Sequence, residues 1–358
     1  MKLRWYQYSL RSLMLLVLLA AIFMSWFAVK LKQAREQHTA VEEIERLGGT
    51  VLYDLKDDPP TSYLISKIKD LFGIDFVANV IQVSLFQCPN VTDKDLKPIQ
   101  GFLKLQELDL TCAERITDDG LEYLSGLTQL QSIKLSYTNI KGKGLVHLNG
   151  LAKLRLLHLD GTKISCDYLV LLKDFDKLED LSFDDSAFDD ESIKCIKLHQ
   201  LKNLSLSDTK ITDKGLEYLK EAPNLCCLTL LNDNITDTGM ESLKYMIQVK
   251  ELNIGCKYIT DNGLDNLKNL TKLEILWLED LPKCTDAGFE HLKALVNLED
   301  LQITNSRITD AGLQKFKGMS NLQIFILCNS KATKNGLKDF QKALPKLSIS
   351  SDLTFHDN

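Results

Sequence analysis

The residues of this sequence that could carry out catalysis are not arranged in a recognisable catalytic pattern. Its 6 histidines are scattered along 358 residues. The sequence has no G-x-x-x-x-G-K-S/T loop for phosphate, no H-E-x-x-H pair for zinc, no G-x-S-x-G nucleophile turn and no set of protein-kinase signatures. We therefore expect a protein that is not an enzyme and that needs no cofactor.

One polar pair does recur, a threonine followed by an aspartate, with a glycine two residues further on. Examples begin at Thr212, Thr236, Thr260 and Thr309. A threonine side chain at a helix start accepts a hydrogen bond from a free backbone amide, and an adjacent aspartate favours the positive end of the helix dipole. We interpret these pairs as helix caps, exclude their aspartates as ligands, and expect the glycines to allow close approach of a neighbouring element.

These caps belong to a repeat that fills most of the chain. The phrase LQELDLTCAERITDDGLEYLSGL at 105–127 returns, modified, at 201–222 and 298–319. If the second apolar residue of each L-x-x-L-x-L core is taken as a marker, successive markers are 23 to 25 residues apart. The markers are Val83, Leu108, Ile133, Leu157, Leu181, Leu204, Leu228, Leu252, Leu276, Leu301 and Phe325. A degenerate twelfth core at 344–349 would have its marker at Leu347.

A unit with this core and a period within 20–29 residues resembles the leucine-rich repeat. The unit L-x-x-L-x-L-x-x-T-x-I-T-D-x-G-L is similar to the helix-bearing repeats of ribonuclease-inhibitor-like and F-box-associated proteins, and of bacterial membrane-anchored leucine-rich repeat proteins. The resemblance implies an α/β solenoid, a horseshoe with a parallel concave sheet and convex helices. The spacing of strands and helices agrees with this shape. Parallel strands lie about 4.8 Å apart whereas packed helices need about 8–10 Å, so the stack of repeats must curve. The concave face is the expected binding platform.

The amino terminus contains an apolar segment long enough to cross a membrane. Residues 12–29 carry no charge and are bracketed by Arg11 and Lys30. At about 1.5 Å per residue, this segment covers roughly 27 Å. We interpret it as a retained transmembrane signal anchor, because it is longer than the usual hydrophobic region of a signal peptide and no small-x-small cleavage pattern follows it. A cleaved signal peptide and a buried core helix are the alternatives.

The predicted organisation places one anchor before one repeat domain. Residues 1–11 form a short basic tail, 12–29 the anchor, 30–79 a juxtamembrane segment and amino-terminal cap, 80–349 the repeats, and 350–358 a polar tail. Basic residues flank the anchor on both sides, but a tail of this length usually stays cytoplasmic, which predicts the repeats on the non-cytoplasmic side. The 9 cysteines form no evident disulfide framework, and this argues mildly for a reducing compartment.

Charge excludes one class of partner. The formal net charge is -6, but 6 of the 43 basic residues lie within residues 1–35, a segment that contains no Asp or Glu. The remainder therefore has 37 basic against 49 acidic residues. Nucleic-acid binding requires clustered Lys and Arg, so we expect no nucleic acid as partner.

Alternation along each predicted strand assigns every second residue to the concave face and defines two candidate surfaces. The Trp277 surface comprises Trp277, Ile275, Glu251, Glu279, Asp300 and Ile326, together with Leu231 and Ile324. The acidic surface comprises His158, Asp160 and Asp184, with Glu107, Asp109, Asp180 and Asp185 around them. We interpret the first as a hot spot for a protein or peptide. The second suggests a basic peptide or a weak divalent-cation site, and a plain solvated face is its alternative.

These observations predict a non-catalytic, membrane-tethered scaffold that binds a protein or peptide ligand on its concave face and the membrane through residues 12–29. The alternative is an adaptor that selects substrates for degradation, as in F-box-type leucine-rich repeat proteins. No F-box-like helical module is evident in residues 36–79, which favours the scaffold.

Overall fold

The protein is described by a computed structural model over residues 10–55, 63–231 and 234–353. It begins with one long helix, α1 (Leu10–Arg46), which runs without interruption from the apolar segment into the predicted cap. Two shorter helices, α2 (Tyr63–Phe72) and α3 (Ile74–Val77), follow. Most of the predicted basic tail (1–9) and the last part of the polar tail (354–358) lie outside the described residues.

Thirteen strands form a single sheet in the described part of the chain, and their spatial order is their order in the sequence. Strands β2 to β13 are parallel, and only β1 is antiparallel to its neighbour. The strands are β1 Thr50–Tyr53, β2 Val80–Ser84, β3 Glu107–Asp109, β4 Ser132–Lys134, β5 Leu156–His158, β6 Asp180–Ser182, β7 Asn203–Ser205, β8 Cys227–Leu231, β9 Glu251–Gly255, β10 Ile275–Glu279, β11 Asp300–Thr304, β12 Ile324–Cys328 and β13 Ser348–Ser351.

The register of the sheet confirms the predicted markers. Val83 pairs with Leu108, Leu108 with Ile133, and the series continues without a slip to Leu301 and Phe325. All eleven markers are buried, as alternation with a period of two requires. The twelfth core differs: Phe325 pairs with Ile349 and not with Leu347, so the interval is 24 residues, within the range of the other repeats.

Convex helices connect the strands. Beyond α3 the α-helices are α4 Cys166–Leu169, α5 Asp190–Ile193, α6 Asp213–Leu219, α7 Asp237–Leu243, α8 Asp261–Asp265, α9 Asp286–Phe289, α10 Asp310–Lys315 and α11 Lys334–Ala343. The corresponding segments Asp93–Gly101, Asp118–Leu124 and Lys143–Leu148 are instead 3₁₀ helices, and 3₁₀ turns also occur at Val170–Asp174, Leu198–Gln200, Asn266–Asn269 and Glu290–Ala294. A 3₁₀ winding aligns residues three apart, which suits buried pairs such as Leu121 and Leu124.

The predicted threonine caps are confirmed, whereas the aspartates that follow them have a second role that the sequence did not predict. The Oγ1 atoms of Thr212, Thr236, Thr260 and Thr309 each accept from the backbone N–H two residues later. Asp237 Oδ1 accepts from the Thr260 N–H of the next repeat at 2.8 Å, and its Oδ2 accepts from Thr260 Oγ1 at 2.6 Å. We call this chain of contacts the Asp–Thr ladder. Its pairs are Asp93–Thr117, Asp190–Thr212, Asp213–Thr236, Asp237–Thr260, Asp261–Thr285, Asp286–Thr309 and Asp310–Thr333.

The ladder explains the recurring glycine. A Cβ built on Gly263 would meet Asp237 Oδ1 and would lie 2.8 Å from Ile259 Cγ2. Gly239 and Gly312 would likewise meet the ladder aspartate of the repeat before them. The prediction that these glycines allow close approach of the neighbouring repeat is therefore confirmed, and the neighbouring group is the aspartate.

The carboxy-terminal half of α1 closes the first end of the array. Ala34, Ala40, Val41 and Ile44 are buried there, and Val51 of β1 pairs with Val83. This arrangement covers β2, the first strand of the repeats.

A buried aspartate links the three parts of this cap. Asp75, only 6% exposed, accepts from Gln37 Nε2 at 3.0 Å and from Tyr53 OH at 2.8 Å, and His38 Nδ1 lies 3.0 Å from its other oxygen. Burial and the hydrogen bond to Asp75 raise the pKa of Tyr53. These contacts fix α1, β1 and α3 to each other.

Candidate binding surface on the concave sheet

Strands β9 to β12 bring the predicted Trp277 surface together. Trp277 is the middle residue of β10, with Asn253 of β9 and Gln302 of β11 paired to its two sides. Because β10 is paired on both sides, Trp277 does not cover a sheet edge, and at 37% exposure it is not packed beneath a loop. The remaining predicted members follow from the register: Glu251 and Asp300 pair with Ile275, Glu279 ends β10, and Ile326 pairs with Gln302. Ile324, 42% exposed, adds apolar area at the far side.

Two hydrogen-bond acceptors beside Trp277 are buried without a partner among the described residues. They are Asn253 Oδ1 and Asp300 Oδ1. The neighbouring Trp277 side chain favours the ionised Asp300 carboxyl group, yet one oxygen of that group has no hydrogen-bond partner. Buried acceptors in native proteins are nearly always satisfied, so each of these atoms is a place where a donor from a ligand or from water would lower the energy.

Two carboxyl groups of this surface, those of Asp300 and Glu279, are easier to protonate than ordinary carboxyls. Burial raises the pKa of Asp300, and the neighbouring Trp277 side chain offsets only part of that effect. Burial also raises the pKa of Glu279, to which Gln302 Nε2 donates at 3.4 Å. A cation brought next to either group would favour its ionised form, because an opposite charge nearby stabilises a carboxylate.

The acidic surface lies elsewhere on the sheet, about β5 and β6. Five strand spacings separate β5 from β10, which is roughly 24 Å. Asp160 accepts from Ser136 Oγ at 2.7 Å, from the Asp184 N–H at 3.0 Å and from Ser182 Oγ. Asp184 repeats this pattern one strand later, accepting from Ser205 Oγ and from the Ser207 N–H, both at 2.7 Å. Each carboxylate therefore joins consecutive repeats, a structural role that the sequence did not predict.

His158 faces a carboxylate of the next strand. Its Nε2 lies 3.0 Å from Asp180 Oδ1, and Asn203 Nδ2 donates to the other oxygen at 2.7 Å. Although burial raises the pKa of Asp180, the hydrogen bonds from His158 and Asn203 outweigh it and hold the pKa below its usual range. By contrast, burial raises the pKa of Asp184 in spite of its hydrogen bonds.

The cation alternative for the acidic surface finds no support in this geometry. Among the residues that the structure describes, no group of three or more His, Cys, Asp or Glu side chains is placed to hold a metal ion. His158 is directed to Asp180, whereas Asp160 and Asp184 are occupied by hydroxyl and amide donors. Ligand binding by His158, Asp160 and Asp184 stays a prediction.

The sequence did not predict one further feature of the fold. A cavity of about 770 Å³ lies between α1 and the 3₁₀ helix Asp93–Gly101. Its lining includes Lys30, Arg35, Lys97, Phe102 and Leu103. It lies between residues of α1 and residues 97–104, and no motif in the sequence marks that contact.

Comparison with known families and structures agrees with the repeat. Models described as leucine rich repeat match residues 104–164, and also 197–220 and 294–317. A search of curated proteins found no match. In the Rad7 and Elc1 complex from yeast, one chain is 17% identical with a TM-score of 0.51, and the match covers 98% of this chain and 96% of that one.

Two internalins from Listeria monocytogenes are also similar. The inlF structure is 21% identical with a TM-score of 0.48 and covers 82% of this chain and 95% of its own. The inlC2 structure is 25% identical with a TM-score of 0.41 and covers 66% and 84%. The unbroken register of the sheet, the family models and the yeast structure together identify this chain as a leucine-rich repeat protein.

Proposed function

We propose that this chain is a non-catalytic, membrane-tethered scaffold that binds a protein or peptide segment on the Trp277 surface. The observation that carries the proposal is the exposed Trp277 in the middle of the concave sheet, next to two buried acceptors without partners. Large aromatic side chains ringed by polar groups are typical centres of binding energy. An adaptor that selects substrates would use the same surface.

The composition of the surface indicates the chemistry of the partner. Its carboxyl groups are Glu251, Glu279 and Asp300, and no concave position of β8 to β12 carries Lys or Arg. Ile275, Ile324 and Ile326 supply apolar area around them. A segment with one or more basic residues among apolar ones would satisfy both the charges and the unpaired acceptors.

Replacing Trp277 with alanine should weaken binding at least about 30-fold, corresponding to the roughly 2 kcal/mol of a typical hot spot. The probe is a short peptide selected from a random display library against the full chain in detergent, and its affinity is measured by calorimetry. Phe86→Ala is the matched control, since Phe86 is an exposed aromatic residue at the other end of the array. Equal loss in both variants, or no loss in Trp277→Ala, would contradict the proposed surface.

Binding of a basic peptide should weaken as the pH falls from about 7 to about 5. The raised pKa values of Asp300 and Glu279 mean that these groups gain protons at a higher pH than ordinary carboxyls and so lose the charge that attracts the peptide. Titration calorimetry of the same probe across this range measures the effect. In the double variant Glu279→Gln/Asp300→Asn the affinity should be lower and its pH dependence flatter, and an unchanged slope would count against these two groups.

The membrane part of the proposal rests on α1. It is long and apolar enough to cross a membrane, and none of its apolar window is buried against the rest of the chain, although a signal sequence has the same properties. Phe27 lies within the apolar segment, and its ring centroid lies 5.5 Å from those of Phe72 and Phe76 in the cap. This packing supports a retained helix, because cleavage beyond Phe27 would remove a residue on which α2 and α3 pack.

The intact chain recovered from cells should therefore keep residues 12–29 and stay in the membrane fraction after alkaline extraction. Leu18→Arg/Ile22→Arg should release the chain, because a charged side chain at the centre of a span costs about 2.5–3.5 kcal/mol. Leu103→Arg, at an exposed residue of the first repeat outside the span, is the control. A mass that lacks the first 29 or so residues would show cleavage and refute the tether, while leaving the Trp277 surface untouched.

A further inference from the structure

The Asp–Thr ladder is interrupted at two junctions in the middle of the array. Ser165 caps α4 by accepting from the Asp167 N–H, as Thr212 caps α6 by accepting from the Lys214 N–H. Cys166 therefore occupies the position that Asp213 holds in its repeat. One repeat earlier, Gly142 occupies the same position after Lys141. Neither residue has a carboxylate that could accept hydrogen bonds from the next repeat.

A second cysteine, Cys195, contacts Cys166 across the junction that lacks the ladder contact. Cys195 lies just beyond the end of α5, in the repeat that follows Cys166, and the two Sγ atoms are 3.3 Å apart. Cys166 is exposed and Cys195 is partly buried, so small reagents can reach the first thiol. Both are free thiols in the structure.

We propose that Cys166 and Cys195 form a reversible disulfide that joins two consecutive repeats at the junction where the ladder lacks its aspartate. This modification site is independent of the Trp277 surface, since it lies on the convex side of the sheet and several repeats away. In the reduced state the two thiols are in contact at this junction but the ladder contact found between most other repeats is missing, whereas in the oxidised state a covalent bond takes its place.

The oxidant would be a small disulfide or a thiol–disulfide oxidoreductase. With oxidised glutathione, the Cys166 thiolate attacks one glutathione sulfur, forms a mixed disulfide and releases one glutathione thiolate. The Cys195 thiolate then attacks Cys166 Sγ, forms the Cys166–Cys195 bond and releases the second glutathione. Two protein thiols are oxidised, one glutathione disulfide is reduced to two thiols, and the two protons from the cysteines end on the glutathione thiols.

The rate of the first step should depend strongly on pH. The hydrogen bond to Cys195, together with burial, raises the pKa of Cys166 to about 11. Below that value the thiolate fraction increases about tenfold for each pH unit, so the bond should form slowly near pH 7 and about a hundred times faster near pH 9.

The test is incubation of the full chain in detergent with oxidised glutathione, followed by alkylation, digestion and mass spectrometry. We expect a peptide that links Cys166 to Cys195, that disappears with dithiothreitol and is absent from Cys166→Ser. Cys112→Ser is the control, since it removes another partly buried thiol and should leave the link intact. A glutathione adduct that persists on Cys166, or links spread over other cysteines, would overturn the proposal.

A second measurement tests the replacement of the ladder contact. Hydrogen exchange of the amides in α4 and α5 should be roughly tenfold slower in the oxidised chain than in the reduced one, because the bond suppresses local opening of that junction. Amides of α7 and α8, where the ladder is complete, should exchange equally in both states. Equal exchange in α4 and α5 would show that the bond does not act as a substitute for the ladder.

Discussion

Replacing Asp237 with alanine should lower the free energy of unfolding by about 3 kcal/mol. Its two oxygens accept from the N–H and the hydroxyl of Thr260 in the next repeat, at 2.8 and 2.6 Å. Hydrogen bonds to a charged acceptor contribute about 1.5–3 kcal/mol each, and their loss leaves the Thr260 amide unpaired at the start of α8. Urea unfolding of the full chain in detergent, followed by tryptophan fluorescence, measures the change.

Asp119→Ala separates this explanation from a simple helix-dipole effect. Asp119 lies in the first turn of its helix but is exposed, whereas the residue before it, Asp118, is the one that reaches the next repeat. Its replacement should therefore cost no more than about 1 kcal/mol, the usual contribution of a charge at a helix amino terminus. If Asp119→Ala and Asp237→Ala were equally destabilising, the ladder would not be the source of the effect.

A double variant tests the coupling between the ladder partners. Asp237→Ala combined with Thr260→Ala should be less destabilising than the two single changes added together, by about 1–2 kcal/mol, because the second change removes a contact already lost. Strict additivity would indicate that the two side chains stabilise the fold separately.

The sheet could be predicted from the sequence because its register is determined by a strong periodic signal. A slip of one residue would turn a marker such as Leu204 from the core to the solvent, so the markers allow a single alignment of neighbouring strands. The same alternation placed Trp277 on the concave side. The marker of the last strand was predicted wrongly as Leu347. The degenerate core offers two apolar residues for this position, and only the pairing with Phe325 selects Ile349.

The ladder escaped prediction for a different reason. A threonine next to an aspartate is fully accounted for by local capping, so nothing in the sequence requires the aspartate to reach a threonine 23 residues later. The glycine that follows was the available clue, since it implied a close neighbour without identifying it. In the same way, the unpaired oxygens of Asn253 and Asp300 emerge only when side chains from three strands are placed together.

The acidic surface shows how a structural residue can be mistaken for a binding residue. Carboxylates projecting from a concave sheet suggest a ligand, and Asp160 and Asp184 fit that pattern in the sequence. Their hydrogen bonds to the next repeat provide a sufficient reason for acidic residues at these positions. A binding experiment alone would not distinguish the two roles, since an array that is locally disrupted also loses its ligand.

Asp160→Ala should accordingly lower the free energy of unfolding by about 3 kcal/mol, because three donors lose a shared charged acceptor. The donors are the hydroxyls of Ser136 and Ser182 and the N–H of Asp184. Chemical unfolding of the full chain measures the loss, with Asp174→Ala as the control at an exposed convex residue, where a change within about 0.5 kcal/mol is expected. If Asp160→Ala unfolds like the unmodified chain yet no longer binds a basic peptide, its role is recognition. If it is destabilised while the folded fraction still binds the peptide with unchanged affinity, Asp160 acts within the array and the Trp277 surface alone accounts for binding.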